Sequence, residues 1–396
     1  MPEPAIPPES EIPPEESLGQ RLREVSELSL TLGFTAFGGP AAHIAMLRNN
    51  VVNQRGWMSD GNFLDLLGAT NLIPGPNSTE MVMHVGMERA GWRGLISAGA
   101  LFILPAATIS LAFAWAYKQY GSTPAAHWLL YGIKPVVIAV ILQAVWGLGR
   151  SAFRSVSTIA LGIAAVVLAL AGFNELAILL GAGAGLAAAR WFTIRTLGAA
   201  AFVPFMPIAP LLLTAALPQP YNPWSLFWRF LKIGGTLYGS GYVLIAFLRQ
   251  DFVEQLGWLT PQQLIDAVAV GQFTPGPVFS TATFVGYLVG GIPGAVIATI
   301  AIFLPAFVLI GLTHRYVARI REFPLAAGFL DGVNAAAVAL MAVVMAALAR
   351  DALIDAPTIF IALIAAAALI RFKVNSALLI ALGAAAGFLL HLAGLA

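Results

Sequence analysis

Two identical tripeptides are the elements of this chain best placed to do chemistry. Pro74-Gly75-Pro76 and Pro275-Gly276-Pro277 lie 201 residues apart, each inside an apolar stretch. Proline removes a backbone donor and disfavours helix at the residue before it, so each tripeptide should end one half-helix. A second half-helix should begin directly afterwards, and the unpaired amide groups of a helix start attract anions. The repeated tripeptide therefore predicts two anion-facing helix starts.

The residues after each tripeptide, together with a second glycine-rich break upstream, complete the predicted substrate site. Glycine lets a ligand approach the backbone, and hydroxyl or amide groups can donate to an oxyanion. The first half contributes the candidates Gly38, Gly39, Gly75, Asn77, Ser78 and Thr79, and the second half contributes Gly239, Ser240, Gly276, Ser280 and Thr281. Plain proline kinks and close helix packing through small residues are the alternative interpretations.

Three basic residues could balance the charge of a bound anion. Arg48 and Arg249 follow the upstream breaks by ten residues, within or beside apolar segments. A guanidinium offers a fixed fork of donors that suits a tetrahedral oxyanion. Lys232 is a further candidate in the second half alone, because its counterpart is Thr31. The alternative for the arginines is that they extend to the membrane surface.

Four residues are candidates for proton coupling. Asp65 and Asp266 precede the two tripeptides by nine residues, and a carboxylate in a low-dielectric site can load and release protons. Glu80 and His43 lie close to the breaks in the first half. The two aspartates could instead be structural partners of arginines.

One helix face of the first half carries further titratable groups. Glu80, His84 and Glu88 follow one another at four-residue spacing, which places them on one side of a helix. That spacing suits a proton pathway, a metal site or an ion-paired helix end. The second half does not repeat the pattern, and the five histidines show no cluster by spacing.

Composition identifies the lipid bilayer as the solvent of this chain. Of its 396 residues, 59% are hydrophobic and 10% are charged, whereas a soluble domain carries about 25% charged residues. The absence of cysteine excludes disulfides, thiolate metal sites and a cysteine nucleophile. The net charge of +2 is too small to indicate nucleic-acid binding. We expect no cofactor and no resident metal.

The offset of 201 residues extends well beyond the tripeptides and reveals an internal duplication. It aligns Arg48 with Arg249, Gly56-Trp57 with Gly257-Trp258, and Asp65 with Asp266. We therefore expect two repeats, over residues 18–217 and 218–396. Residues 1–17 are acidic and proline-rich and lack the apolar core of a signal peptide, so we expect a disordered tail.

The fold class predicted from these patterns is an all-α integral membrane protein with about 13 transmembrane segments. With the amino terminus in the cytoplasm, fourteen Lys and Arg residues fall on inner loops, including Arg89, and six on outer loops, including Arg55. The loop bias reverses between equivalent loops of the two halves, which favours repeats of inverted topology. The first two segments of each half are interrupted and could be re-entrant hairpins rather than full spans.

The order of motifs resembles that of the chromate ion transporter family in its two-domain form. The similar stretches are Phe37-Gly38-Gly39-Pro40-Ala41-Ala42-His43, Arg55-Gly56-Trp57-Met58-Ser59, Phe63-Leu64-Asp65, Leu104-Pro105, Gly257-Trp258-Leu259, Gln272-Phe273-Thr274, Thr283-Phe284-Val285-Gly286-Tyr287 and Phe303-Leu304-Pro305, with both tripeptides. The resemblance covers about residues 20 to 394. It departs where Gly39-Pro40 becomes Ser240-Gly241.

The resemblance implies a secondary transporter of the bacterial inner membrane that exports chromate and is driven by the proton-motive force. Its expected partners are chromate or a sulfate-like oxyanion, protons and membrane lipid, and a homodimer is left open. The alternatives are a transporter of another anion such as sulfate, a membrane metalloenzyme using Glu80, His84 and Glu88, and a non-catalytic scaffold or lipid-binding protein.

Overall fold

The computed structural model describes residues 17–37, 39–70, 73–195, 220–238, 241–314 and 324–393. Within these ranges it contains fourteen α-helices and no β-strand, so the predicted all-α class is confirmed. The candidate residues Gly38, Gly239 and Ser240 lie outside the described residues, as do the predicted tail up to residue 16 and the whole of residues 197–217, which the sequence predicts as the last apolar segment of the first repeat.

The first repeat contains seven α-helices and one π-helix, and most begin at ordinary helix-start signals. Ser17 and Ser155 form capping boxes, and Pro124 occupies the first turn of its helix. The elements are α1 (Leu18–Thr35), α2 (Gly39–Arg48), a π-helix (Asn49–Gln54), α3 (Asp60–Thr70), α4 (Asn77–Tyr120), α5 (Pro124–Ala152), α6 (Val156–Leu170) and α7 (Glu175–Arg195).

Within the described residues, the second repeat has its α-helices and π-helix in the same order as the first, with two 3-10 turns in addition. They are α8 (Pro223–Thr236), a 3-10 turn (Gly241–Val243), α9 (Leu244–Leu248), a π-helix (Arg249–Gln255), α10 (Pro261–Phe273), a 3-10 turn (Val278–Ser280), α11 (Thr281–Thr313), α12 (Pro324–Ala352), α13 (Ala356–Phe372) and α14 (Ser376–Leu392). The predicted break at each Pro-Gly-Pro is confirmed, because α3 and α10 end before it and a new helical segment starts after it.

Helices α4 and α11 are each folded into a hairpin at a glycine. Gly91 has φ 61° and ψ −152°, and Gly291 has φ 64° and ψ −153°, a region that only glycine readily adopts. The hydroxyl oxygens of Thr283 and Thr299 are 2.7 Å apart, whereas sixteen residues of straight helix span about 24 Å. Each helix therefore consists of a short arm (77–89 or 281–289) and a long arm (92–120 or 292–313).

The sequence offset between equivalent residues of the two repeats falls from 201 to 200 just after the tripeptides. Gly75 corresponds to Gly276 at an offset of 201, but the hairpin turns at Gly91 and Gly291 are offset by 200. The second repeat starts its short arm with a 3-10 turn where the first repeat has α-helix, and one residue is lost there. Along the short arms, His84 therefore corresponds to Phe284 and Glu88 to Leu288.

The two long arms run in opposite directions. The indole of Trp92, at the start of the first long arm, lies against Gly311, at the end of the second. The Lys118 ammonium, at the end of the first long arm, lies 5.7 Å from the ring centroid of Tyr287, just before the start of the second. The long arms of α4 and α11 are therefore antiparallel neighbours.

The repeats are interleaved rather than side by side. Helix α1 packs on α4 and α8 packs on α11 within each repeat, but α6 and α7 pack on α12, and α13 and α14 pack on α5. Within the described residues, four helical stretches are long and apolar enough to cross a membrane: Asn77–Tyr120, Pro124–Ala152, Val278–Thr313 and Ala327–Ala352. The total of 13 spans stays a prediction.

The loop that carries Arg55 lies at the opposite end of the protein from the one that the loop charges predict. The count of loop charges places Arg55 and Arg89 on opposite sides of the membrane, but both guanidinium groups lie over Trp57, 5.0 and 5.1 Å from its ring. Arg21, near the start of α1, lines the same pocket as Trp57. Helices α1 and α2 therefore form a hairpin that returns to the end where it began, the re-entrant path left open by the sequence.

Candidate functional site

The broken helices of the two repeats meet through reciprocal backbone hydrogen bonds. The Gly75 N–H donates to the Leu237 carbonyl over 2.7 Å, and the Gly276 N–H donates to the Ala36 carbonyl over 2.9 Å. Ala36 and Leu237 are equivalent residues that end α1 and α8. Each Pro-Gly-Pro is therefore fixed to the upstream break of the other repeat. We call these four residues, Ala36, Gly75, Leu237 and Gly276, the central junction.

Close packing at the central junction requires glycine in both tripeptides. Gly75 has φ 145° and Gly276 has φ 88°, values that strain other residues. A methyl group added to Gly276 would press on Ala106 and on the Gly33 and Phe102 carbonyls, and one added to Gly75 would collide with the Glu80 carboxyl. The junction thus brings the tripeptide of one repeat against the long arm of the other.

The first repeat supplies a set of buried polar side chains beside the junction. Ser78, Thr79 and Glu80 form the first turn of the short arm, and all three are buried. His43 Nδ1 lies 3.2 Å from Ser78 Oγ, and the imidazole ring meets Phe102 edge-on. Within the described residues, Thr79 Oγ1 and His43 Nε2 have no hydrogen-bond partner. The structure therefore brings Ser78, Thr79, Glu80 and His43 together beside the junction.

Glu80 is the most unusual of these residues. Its side chain is fully buried, and neither carboxyl oxygen has a hydrogen-bond partner within the described residues. Tyr238, from the upstream break of the second repeat, lies within electrostatic reach. An isolated ionised carboxylate is very unfavourable in such surroundings, so a buried carboxyl of this kind favours its neutral, protonated form.

The second repeat presents a less polar surface at the same place. Ser110 donates to Ser280 Oγ over 3.2 Å, and both side chains are buried. The Thr281 hydroxyl donates to the Val278 carbonyl over 2.8 Å. The Ser280 and Thr281 hydroxyl groups are thus engaged by neighbours, and the short arm 281–289 has no acidic residue.

The three basic candidates form ion pairs with residues outside the central junction. Arg48 donates to Asp60 over 2.7 Å, with both side chains largely exposed, and its guanidinium holds the pKa of the Asp60 carboxyl below its ordinary value. Arg249 pairs with Glu254 at 2.8 Å. Lys232 lies 2.7 Å from the buried Asp251.

The equivalent aspartates Asp65 and Asp266 lie in different surroundings. Asp65 is exposed at the wall of a pocket of about 440 Å³. Asp266 is buried, accepts from the Tyr117 hydroxyl over 2.8 Å and lies 3.7 Å from Lys134 Nζ. Asp266 is thus part of an ion pair with α5, whereas Asp65 faces an opening of the protein.

One pair of functional groups could not be found from sequence spacing. His84 Nδ1 and His314 Nδ1 are 3.1 Å apart, although they come from different repeats and are separated by 230 residues. Sequence spacing shows no histidine cluster, and this pair is created by the packing of α4 against α11. No three His, Asp or Glu side chains in the described ranges converge as metal ligands would.

The duplicated broken helices and their buried polar centre define an all-α membrane protein of transporter type. A family model described as "Chromate transporter" matches residues 24–188 and again residues 224–388. The chain belongs to the chromate transporter family.

Curated relatives agree with this assignment. The chain is 30% identical to the chromate transport protein of Cupriavidus metallidurans over 370 residues, covering 92% of each chain. It is 32% identical to the probable chromate transport protein of Synechococcus elongatus over 355 residues, covering 87% of this chain and 88% of the relative. The chromate transport protein of Pseudomonas aeruginosa is 33% identical over 327 residues, with 79% and 77% coverage. No solved structure matches significantly.

Proposed function

We propose that this protein exports chromate, or a tetrahedral dianion of like shape such as sulfate, across the bacterial inner membrane, using the proton-motive force. The reciprocal hydrogen bonds of Gly75 and Gly276 are the observation that carries the proposal. They join the broken helices of both repeats at one buried centre, which is where transporters built from repeats place their substrate. The names of the similar proteins supply chromate as the substrate to test first.

The donors available to the anion come mainly from the first repeat. The amide groups of Gly75 and Gly276 already donate to carbonyls, so the oxyanion would take its hydrogen bonds from hydroxyl groups of the short arms. Thr79 Oγ1 has no partner among the described residues, and Ser78 shares its hydroxyl with His43. Charge-assisted bonds to an oxyanion are roughly twice as strong as neutral ones.

Proton coupling follows from the position of Glu80 beside Gly75. A dianion and an ionised carboxylate repel strongly in a site with little water, so Glu80 must hold a proton while the anion is bound. His43 is buried 3.2 Å from Ser78, and burial favours its neutral ring, so it can orient the Ser78 hydroxyl. In this proposal Asp65 and Asp266 do not contact the anion.

The test is transport in proteoliposomes with the two parts of the driving force applied separately. Radiolabelled chromate flux is measured with a potassium-diffusion potential alone, with a pH gradient alone, and with both. We expect flux that responds to each part and is inhibited by excess sulfate but not by nitrate, which is planar. If neither chromate nor sulfate moves, the proposed function is wrong; if only the pH gradient has no effect, proton coupling is wrong.

We also propose that the repeats have inverted topology, with the amino terminus in the cytoplasm. The antiparallel long arms and the reciprocal junction support this arrangement. The chain has no cysteine, so single cysteines can report the side of each loop. Ser59→Cys, at the Arg55 end, should be protected from a membrane-impermeant maleimide in intact cells. Ser122→Cys, beyond Lys118, should react, and labelling of both on the same side would contradict the model.

A further inference from the structure

A line of titratable side chains leads from the central junction to the surface at the Arg89 end. His84 is fully buried on the short arm of α4. Its Nδ1 lies 3.1 Å from Nδ1 of His314, which directly follows α11. His314 Nε2 in turn lies 3.4 Å from Glu88 Oε1, and 53% of the Glu88 side chain is exposed. Two repeats therefore contribute one ring each to a connected path.

The contacts determine which ring nitrogens carry protons. Glu88 is a carboxylate at the surface and only accepts, so His314 Nε2 must be the N–H that faces it. In a neutral ring His314 Nδ1 is then an acceptor, and the contact at 3.1 Å requires His84 Nδ1 to be the donor. His84 Nε2 is consequently an acceptor.

Glu80 lies one helical turn before His84 on the same helix face, and the two side chains make no hydrogen bond with each other in this structure. His84 Nε2 is buried without a hydrogen-bond partner among the described residues, and so are both oxygens of Glu80. Residues four apart on a helix face lie side by side, about 5 to 6 Å apart between Cβ atoms. If a protonated Glu80 donated to His84 Nε2, every donor in the path would point away from the central junction and toward Glu88.

The outer end of the path opens into a pocket of about 440 Å³. Its walls include His314, Glu88 and Trp57. The charged and titratable groups facing the path from the packed elements are Arg21 and Glu24 on α1, His43 on α2, Asp65 on α3, and Glu88 and Arg89 on α4. Arg89 donates to Glu24 over 2.8 Å, so this wall carries fixed charges of both signs.

We propose that Glu80, His84, His314 and Glu88 form a proton relay between the central junction and this pocket, a role that rests on the proposed transport function. In one transfer, a side-chain rotation brings the Glu80 O–H within hydrogen-bond distance of His84 Nε2, the O–H bond breaks and its proton passes to that nitrogen. The His84 Nδ1 proton moves to His314 Nδ1, and the His314 Nε2 proton moves to the Glu88 carboxylate. Both rings end neutral with their N–H positions exchanged, and one proton has moved from the junction to the pocket.

Glutamine variants separate proton movement from anion movement. His84→Gln and His314→Gln keep a polar side chain but cannot relay a proton, and His391→Gln is the control, because His391 stacks on Trp128 away from the path. In proteoliposomes, chromate flux driven by a membrane potential should stay comparable in all proteins. Chromate-dependent proton movement, measured with an internal pH dye, should fall at least about tenfold in the two relay variants. Wild-type proton movement in either would overturn the relay.

A second measurement tests the relay without any transport. Magic-angle-spinning NMR of protein with ring-¹⁵N histidine should show the Nδ1–H tautomer for His84 and the Nε2–H tautomer for His314. A scalar coupling should connect the two Nδ1 atoms and should disappear in His84→Gln. The same tautomer in both rings, with no coupling, would overturn the relay whether or not chromate is transported. Failure of the wild type to move either anion, with the coupling present, would contradict the proposed function alone.

Discussion

The short arms that follow the two Pro-Gly-Pro elements share one backbone but carry different chemistry. Both bend at a glycine with nearly the same φ and ψ, at Gly91 and Gly291. In the first repeat the buried face carries Glu80 and His84, whereas Phe284 and Leu288 occupy the register of His84 and Glu88 in the second. The two copies share one backbone scaffold, and of the two short arms that of the first copy carries the titratable groups.

A second difference between the repeats lies beside the π-helices. In the second repeat the fully buried Asp251 accepts from Arg229 and Lys232 at 2.9 and 2.8 Å. The equivalent residues of the first repeat are Leu28, Thr31 and Asn50, none of which is charged. The second repeat therefore carries a buried ion cluster where the first repeat has neutral side chains.

The largest expected effect comes from breaking that cluster. Asp251→Asn removes the carboxylate that both partly buried cations contact, and removing one partner of a buried pair costs about 3 to 5 kcal/mol. Thermal and denaturant unfolding in detergent measure the loss. The matched change Asn50→Gln in the first repeat should cost much less.

A triple variant sharpens the same comparison. Arg229→Leu, Lys232→Thr and Asp251→Asn together give the second repeat the residues of the first. Replacement of a whole buried ion cluster by neutral side chains is often close to neutral, so most of the stability lost in Asp251→Asn should return. A triple variant as unstable as the single one would show that the cluster also holds the fold in a way the first repeat does not need.

The next largest effect is expected at Gly75. Gly75→Ala strains a positive φ and drives a methyl group into the Glu80 carboxyl, with an expected cost of about 1 to 3 kcal/mol. In Gly75→Ala/Glu80→Ser, the shorter serine replaces the carboxyl side chain and removes the collision, so part of the lost stability should return. A double-mutant cycle measures the coupling. Gly276→Ala in a Glu80→Ser background serves as control and should show no such coupling.

Glu80→Gln should change coupling rather than folding. A neutral amide replaces a buried carboxyl without a partner, so the unfolding temperature should be equal or higher. Chromate flux driven by a pH gradient should fall at least about tenfold, since the amide cannot carry a proton, while flux driven by a potential continues. Ser280→Ala, at the equivalent helix start, is the control. Equal losses in both variants would show that the repeats share the coupling role.

The smallest effect is expected for Arg48→Gln. Arg48 is engaged with Asp60 at the surface, so chromate flux should match that of the wild type. Because Arg48 lowers the pKa of Asp60, the pair stabilises the fold above the ordinary carboxyl pKa and loses this contribution as the pH falls. The variant should lack that part of the acid sensitivity in unfolding experiments. A large loss of flux would restore Arg48 as an anion ligand.

Much of the architecture was predictable because it depends on local chemistry. Proline removes a backbone donor wherever it stands, so the breaks at Pro74 and Pro275 follow from the sequence. The contact between His84 and His314 was not predictable, because it depends on how α4 packs against α11. The ion pairs of Arg48 and Lys232 were missed for the same reason: spacing from the breaks says nothing about the direction of a side chain.

The sequence by itself determined the membrane class, the duplication, the broken helices and the family resemblance, because composition and repeated motifs act through local backbone and solvent preferences. Only the tertiary structure decided that Gly75 and Gly276 each bind the break of the other repeat, and that His84, His314 and Glu88 from two repeats lie in contact. Those relations depend on antiparallel packing of helices some 200 residues apart, which no local pattern encodes.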